Sequence, residues 1–349
     1  MNPKRFAALA ALLVVATLGI GAQPAGTIQY LELHSQALEG NLLGDPADQE
    51  VAVYLPPGYD KSTARYPVLY LLHGIGGGFT DWTKHWDLRG SMDAVIAAGS
   101  PPFLVVMPNG GNRLGGGFYM DSPVSGKWET YIVGELLPHI DRAFRTRTAA
   151  DSRGIAGHSM GGFGALRLAM RHPDLFTSVY AMSPCCLDLV EDIGHGNQAW
   201  RKAIGFKSPD DIAKSLAEND FYPVAIYALA SALSPNPDKP PFYVDLPVRQ
   251  VRGELMPEPV TDELWRNSLL MSQLPDHRAA LLRMRAIALD YGTSEQFAHI
   301  SATTPEFSHE LARLRVPHRL EVYDGDHREK IPARLKTHVL PFFGAAFPR

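Results

Sequence analysis

Cysteine is nearly absent: the 349-residue chain holds two, and they are neighbours, Cys185 and Cys186. A bond between adjacent residues closes almost no loop and stabilises little, so a disulfide scaffold is excluded. Neither cysteine has a metal-ligand spacing, and HExxH and Cys-x-x-Cys are missing, so no metal is expected and no cofactor. An excess of positive charge is also lacking. With Lys4 and Arg5 set aside, 31 cations face 37 acids, a net charge of −6, which argues against nucleic acid and anionic membranes as partners. Long apolar runs are missing beyond the first residues, and even the run from Phe6 to Ile20 is shorter than the roughly 20 residues a spanning helix needs.

That first run has a different reading. Two cations precede it and small residues follow, as in a secretory signal peptide, so residues 1–22 are expected to be removed and 23–349 to be secreted or periplasmic.

Short apolar, β-branched segments punctuate the rest: "PVLYLL", "PFLVVMP", "SRGIAG", "FTSVYAMS", "MRAIALD" and "HRLEVYD". Strands apolar on both faces belong to a mostly parallel sheet covered by helices. Helical patterns alternate with them at Leu88 to Ala98, Trp128 to Phe144, Met160 to Arg171, Glu306 to Leu314 and Arg328 to Phe343. This rhythm predicts an α/β fold with helices on both faces of the sheet. "TIQYLELHS" and "QEVAVYLPPGY" read as antiparallel strands at one edge. About a hundred residues separate "YAMSP" from "MRAIALD", and a connection that long is functional or structured in itself. A lid inserted over residues 187–280 is expected, with helices near Asp210 to Ala217 and Asp262 to Leu274.

In "IAGHSMGGFG" the glycines stand two before and two after Ser159, where a side chain would collide with the flanking strand or helix. Ser159 then sits at a strand's carboxyl end and a helix's amino end, where free N–H groups and the helix dipole favour negative charge. A nucleophilic serine needs a base and an acid later in the chain. His327 in "EVYDGDH", just past the last strand, is the base candidate. His158 adjoins the serine but is expected to point away from it across the turn. Two carboxylates compete as the acid: Glu295, beyond the turn that Gly292 permits, is preferred for its reach, and Asp290, at the strand end, is the alternative that would otherwise shape the turn. Met160 N–H and Ile75 N–H, in "LLHGIGGGFTDW", are the candidate oxyanion donors. Gly74, His158 and Trp82 complete the expected substrate surround. "NGGNRLGGGFYMDS" follows another strand and is expected to rim the same cleft.

Taken together, "YPVLYLLHGIGG", "VVMPNGG", "GIAGHSMGGFGALRLAMRHPDLFTSVYAMSP" and "VYDGDH" resemble the esterase family of α/β-hydrolases that includes feruloyl esterases, S-formylglutathione hydrolases, enterochelin esterases and mycolyltransferases. The resemblance runs from about Val51 to the C-terminus and is densest from Pro67 to Pro184. It implies the α/β-hydrolase fold and places the family's nucleophile, acid and base on Ser159, Glu295 and His327. Glutamate departs from the aspartate of S-formylglutathione hydrolases, whereas mycolyltransferases use it. The leader and the oxyanion loop look most like secreted feruloyl-type esterases. A serine esterase acting on a small-molecule or carbohydrate-linked ester is therefore expected, with an acyltransferase as the rival activity and a binding protein on a hydrolase scaffold as the rival class.

Overall fold

The computed structural model describes residues 25–349, so the expected signal peptide lies outside the described residues. Eight strands form one sheet: β1 Thr27–His34, β2 Asp48–Leu55, β3 Val68–Leu72, β4 Leu104–Pro108, β5 Arg153–His158, β6 Ser178–Met182, β7 Ala286–Gly292 and β8 Arg319–Tyr323, in the spatial order β1-β2-β4-β3-β5-β6-β7-β8. β1 and β2 pair antiparallel, as does β2 with β4, and every other pairing is parallel. β3, β4, β5 and β6 are buried along their whole length, which explains their unbroken apolar runs.

Two apolar layers cover the faces. On one, α1 Leu88–Ala97 and the C-terminal α9 Leu340–Ala346 pack Met92 and Phe343 with Leu69 and Val105 of the sheet. On the other lie α2 Leu137–Ala143, α3 Met160–Arg171 and α8 Ala298–Arg313, with Ile140, Leu166 and Phe307 against Tyr70 and Ile155. This is an α/β-hydrolase fold, with helices on both faces of a mostly parallel sheet.

α8 begins well before Glu306, where periodicity alone starts it, because Pro305 lies inside the helix and reads in sequence as a breaker. Between β6 and β7 the chain builds α4 Ala199–Gly205, α5 Pro209–Ala217, α6 Phe221–Leu233 and α7 Pro259–Ser268, with a hairpin of Val248–Val251 and Glu254–Pro257. α6 is apolar on all sides and buried from Pro223 to Leu233, so its sequence shows no amphipathic period to betray it.

Candidate active site

The parallel strands deliver their carboxyl ends to one edge of the sheet, where crevices of open α/β folds form. Ser159 sits there between β5 and α3, with φ +58° and ψ −117°. A non-glycine residue at positive φ is strained, and strain of this kind gathers at functional positions. The flanking glycines make the turn possible by close approach. A Cβ on Gly157 would lie 2.2 Å from the backbone of Gly161, and one on Gly161 would lie 2.1 Å from the Leu72 carbonyl oxygen. The turn is pinned by Ser159 N–H donating to Met182 O at 2.9 Å.

His327 follows β8, and Glu295 follows β7. Glu295 Oε2 accepts from His327 Nδ1 at 2.8 Å, and the carboxylate is fully buried. Gly292 lets the two loops meet: a Cβ there would stand 2.1 Å from the Gly325 carbonyl oxygen. Thr293 and Ser294 N–H groups donate to Tyr323 O (2.8 Å) and Gly325 O (3.0 Å), and Gln296 Oε1 accepts from His327 N–H at 3.2 Å. The glycine therefore serves close approach. Burial, aided by the charges of His299 and Arg328, holds His327 below the ordinary imidazole value. Burial raises the Glu295 carboxyl to about 7. Their contact keeps one proton in the Nδ1–Oε2 bond and leaves Nε2 free to accept another.

Asp290 is not part of this pair. It is fully buried, accepting from Arg334 Nε at 2.6 Å, Tyr180 Oη at 2.9 Å and Ser183 N–H at 3.3 Å. These contacts knit β7 to β6 and to the C-terminal helices, away from the imidazole.

Ser159, His327 and His158 line a cavity of ≈ 560 Å³ together with Gly74, Ile75 and the aromatics Trp86, Phe221, Tyr222 and Phe297. The volume suits a small organic ligand. Trp82, expected to line this space, is fully buried and packs edge-on against Trp86 at 4.8 Å, so Trp86 presents the aromatic face instead. Trp82 lies in the π-helical turn Asp81–His85 and Trp86 caps it, so the winding of that turn sets which ring faces the cavity.

His158 does not point away. Its ring lies 4.4 Å from that of His327, and its Nε2 donates to the His327 carbonyl at 2.8 Å, which fixes the loop carrying His327. Burial holds His158 well below the ordinary imidazole value, so it stays neutral.

The oxyanion candidates also come to the site. Ile75 lines the cavity, Met160 opens α3, and neither amide donates to another group in the turn and loop hydrogen bonds of the described residues. The second glycine-rich stretch stands behind this loop. His73 Nε2 accepts from Gly110 N–H at 2.7 Å, so its proton sits on Nδ1, which donates to Gly74 O at 2.8 Å. Gly115 O accepts from Gly76 N–H at 2.8 Å. "NGGNRLGGG" thus buttresses the oxyanion loop, and no residue of it lines the cavity.

Residues 46–331 match a family model described as "Putative esterase". The chain belongs to this esterase family. A Mycobacterium tuberculosis protein named as an esterase is 42% identical over 138 residues, 38% of this chain and 28% of that protein. An endo-1,4-beta-xylanase/feruloyl esterase of Xylanibacter ruminicola is 38% identical over 136 residues, 37% of this chain and 18% of that protein. The matched segments span under a third of these longer relatives. Among solved structures, a ferulic acid esterase superposes with a TM-score of 0.62 at 23% identity, over 93% of this chain and 99% of its own. An S-formylglutathione hydrolase from Agrobacterium tumefaciens gives 0.60 at 18% identity, over 93% and 96%. At these identities the superpositions bear on the fold of this family member.

One buried cluster has no counterpart in the sequence reading. Cys185 and Cys186, directly after β6, meet His299 at the start of α8. Burial raises the Cys185 thiol, but Cys186 and His299 outweigh it and bring it down to about 6. Burial lowers His299, but Asp192 and Cys185 outweigh it and take it up to about 9. His299 lies on the far side of the insertion from the cysteines, so spacing could not have joined them.

Proposed function

We propose that this esterase-family chain is a serine carboxylesterase that works through an acyl-enzyme on a small-molecule or carbohydrate-linked ester, after export from the cytoplasm. One observation carries the reading: a strained serine at a helix N-terminus shares a cavity with a histidine whose far nitrogen is bonded to a buried carboxylate. Ser159 Oγ attacks the ester carbonyl, His327 Nε2 takes its proton, and Glu295 holds the imidazole in the tautomer that can do so. The Met160 and Ile75 N–H groups receive the oxyanion, with the α3 dipole behind it. His327 then returns its proton to the leaving alkoxide, and water, deprotonated by the same imidazole, releases the acid.

The cavity's aromatic wall supports an aryl or other flat acyl group, and a feruloyl or acetyl ester fits that surround. Export is supported by the charge and apolar pattern of residues 1–22. The test is Ser159→Ala assayed on a p-nitrophenyl ester. The rate should fall by about 10⁶ if the three residues act as a unit, and retention of more than a few per cent of activity would refute the reading.

A further inference from the structure

The paired thiols behind Ser159 are more than packing. Cys185 N–H donates to Ser159 O at 3.2 Å, and its sulfur adjoins the Ser159 hydroxyl. Both cysteines are free and fully buried. Neighbouring side chains on an extended chain point apart, but Cys186 has φ +60°, which breaks that alternation. One ligand atom each from Cys185, Cys186 and His299 then falls within 4.8 Å of the others.

The histidine is oriented from behind. Asp192 Oδ1 accepts from His299 Nδ1 at 2.7 Å and from His299 N–H at 2.8 Å, while Oδ2 accepts from Ala298 N–H at 2.7 Å and Tyr222 Oη at 2.5 Å. A carboxylate fixed by four donors sets the ring and commits Nδ1, which leaves Nε2 to face the thiols. That nitrogen is buried, makes no hydrogen bond of ordinary length, and has the Cys185 sulfur beside it. Buried polar atoms without partners are rare and costly, and they point to a missing ligand. Carboxylate to histidine to metal is the arrangement that protein metal sites use to orient imidazole.

We propose that Cys185, Cys186 and His299 bind one thiophilic cation, Zn²⁺ by the softness of the donor set, with its open coordination position toward the Ser159 hydroxyl. Two sulfurs and one imidazole nitrogen select Zn²⁺ over hard cations, and modest contraction brings them to the 2.0–2.3 Å that zinc requires. Binding sends to solvent whatever protons the two sulfurs and Nε2 still hold. The cation would then occupy the nucleophile's hydroxyl and restrain hydrolysis, a consequence that rests on the proposed role of Ser159.

The test uses the full chain, stripped with chelator and equilibrated with Zn²⁺, with bound metal measured by elemental analysis. Wild type and Ser159→Ala should each hold one Zn²⁺, so the site is read without reference to catalysis. Cys186→Ser and His299→Gln should lose it, and Asp192→Asn, which keeps all three ligands, should bind 10- to 100-fold more weakly. Co²⁺ in place of Zn²⁺ should show thiolate charge-transfer absorption in wild type and lose it in Cys186→Ser. Melting curves identify any variant that fails to fold, and Asp192→Asn then carries the comparison. Absence of stoichiometric Zn²⁺ in wild type, or equal binding by Cys186→Ser, overturns the site. Unchanged ester hydrolysis by wild type loaded with one Zn²⁺ overturns the placement of the open position at Ser159.

Discussion

Glu295 and Asp290 are both buried acids at the carboxyl end of one strand, β7, yet their surroundings give them different work. Glu295 meets an imidazole, whereas Asp290 neutralises Arg334 and accepts from Tyr180 and Ser183. Glu295→Gln should therefore lower kcat by about 10³–10⁴ with little change in melting temperature, because it disturbs the tautomer of His327. Asp290→Asn takes the buried carboxylate from Arg334, leaving it only the half-exposed Glu321 as an ion-pair partner, and should cost about 3 kcal/mol of stability while sparing turnover in the molecules that stay folded. Kinetics and thermal unfolding of the two variants separate these outcomes, and the reverse pattern would exchange the roles. Sequence favoured Glu295 by its reach past Gly292, and what it could not show was Arg334 arriving from the C-terminal helices to occupy Asp290.

With His327 as the proposed base, its protonation sets the response to pH. From sequence, an ordinary imidazole predicts activity that climbs between pH 5 and 8, and a flat profile there would count against it. Burial lowers His327, so the neutral, competent form persists as pH falls past 6.5, and activity is lost only further down. The acid limb of kcat/KM should accordingly lie well below 6.5, and a midpoint at or above 6.5 would contradict that burial.

At the scale of elements, glycines decide how closely loops approach. Gly292→Ala should part the β7 and β8 loops, since the added Cβ meets a carbonyl oxygen at 2.1 Å. A shift of about 1 Å between acid and base costs on the order of 10²-fold, so kcat should fall by about that factor in protein that still folds. Full activity in this variant would show that the approach is not needed. The strands and α3 were legible because buried parallel strands and a packed helix impose strong periods. α6 was not, because a helix buried on every side has no period to read, and α8 was read short because Pro305 resembles a stop. Trp82 lies in an irregular turn and Trp86 directly follows it, and only the π-helical winding of that turn tells which ring faces the cavity.

Across the whole molecule, the site is assembled from β3, β5, β7 and β8 loops and from α5–α6 of the insertion, whose Leu216, Asn219 and Tyr222 close the cavity. Ser159, Glu295 and His327, the nucleophile, acid and base of the proposed mechanism, were legible because each follows a recognisable strand in the order that mechanism requires. The His158 support and the Cys185, Cys186 and His299 cluster were not, because they depend on which loops meet across the top of the sheet. Whether Ser159 is the nucleophile is decided by labelling the wild-type chain with a fluorophosphonate, followed by peptide mass spectrometry. A single covalent adduct on Ser159 is expected, and it should be lost in His327→Ala, since the oxygen then lacks its proposed base. Absence of labelling in folded wild-type protein, or an adduct on another residue, would contradict it.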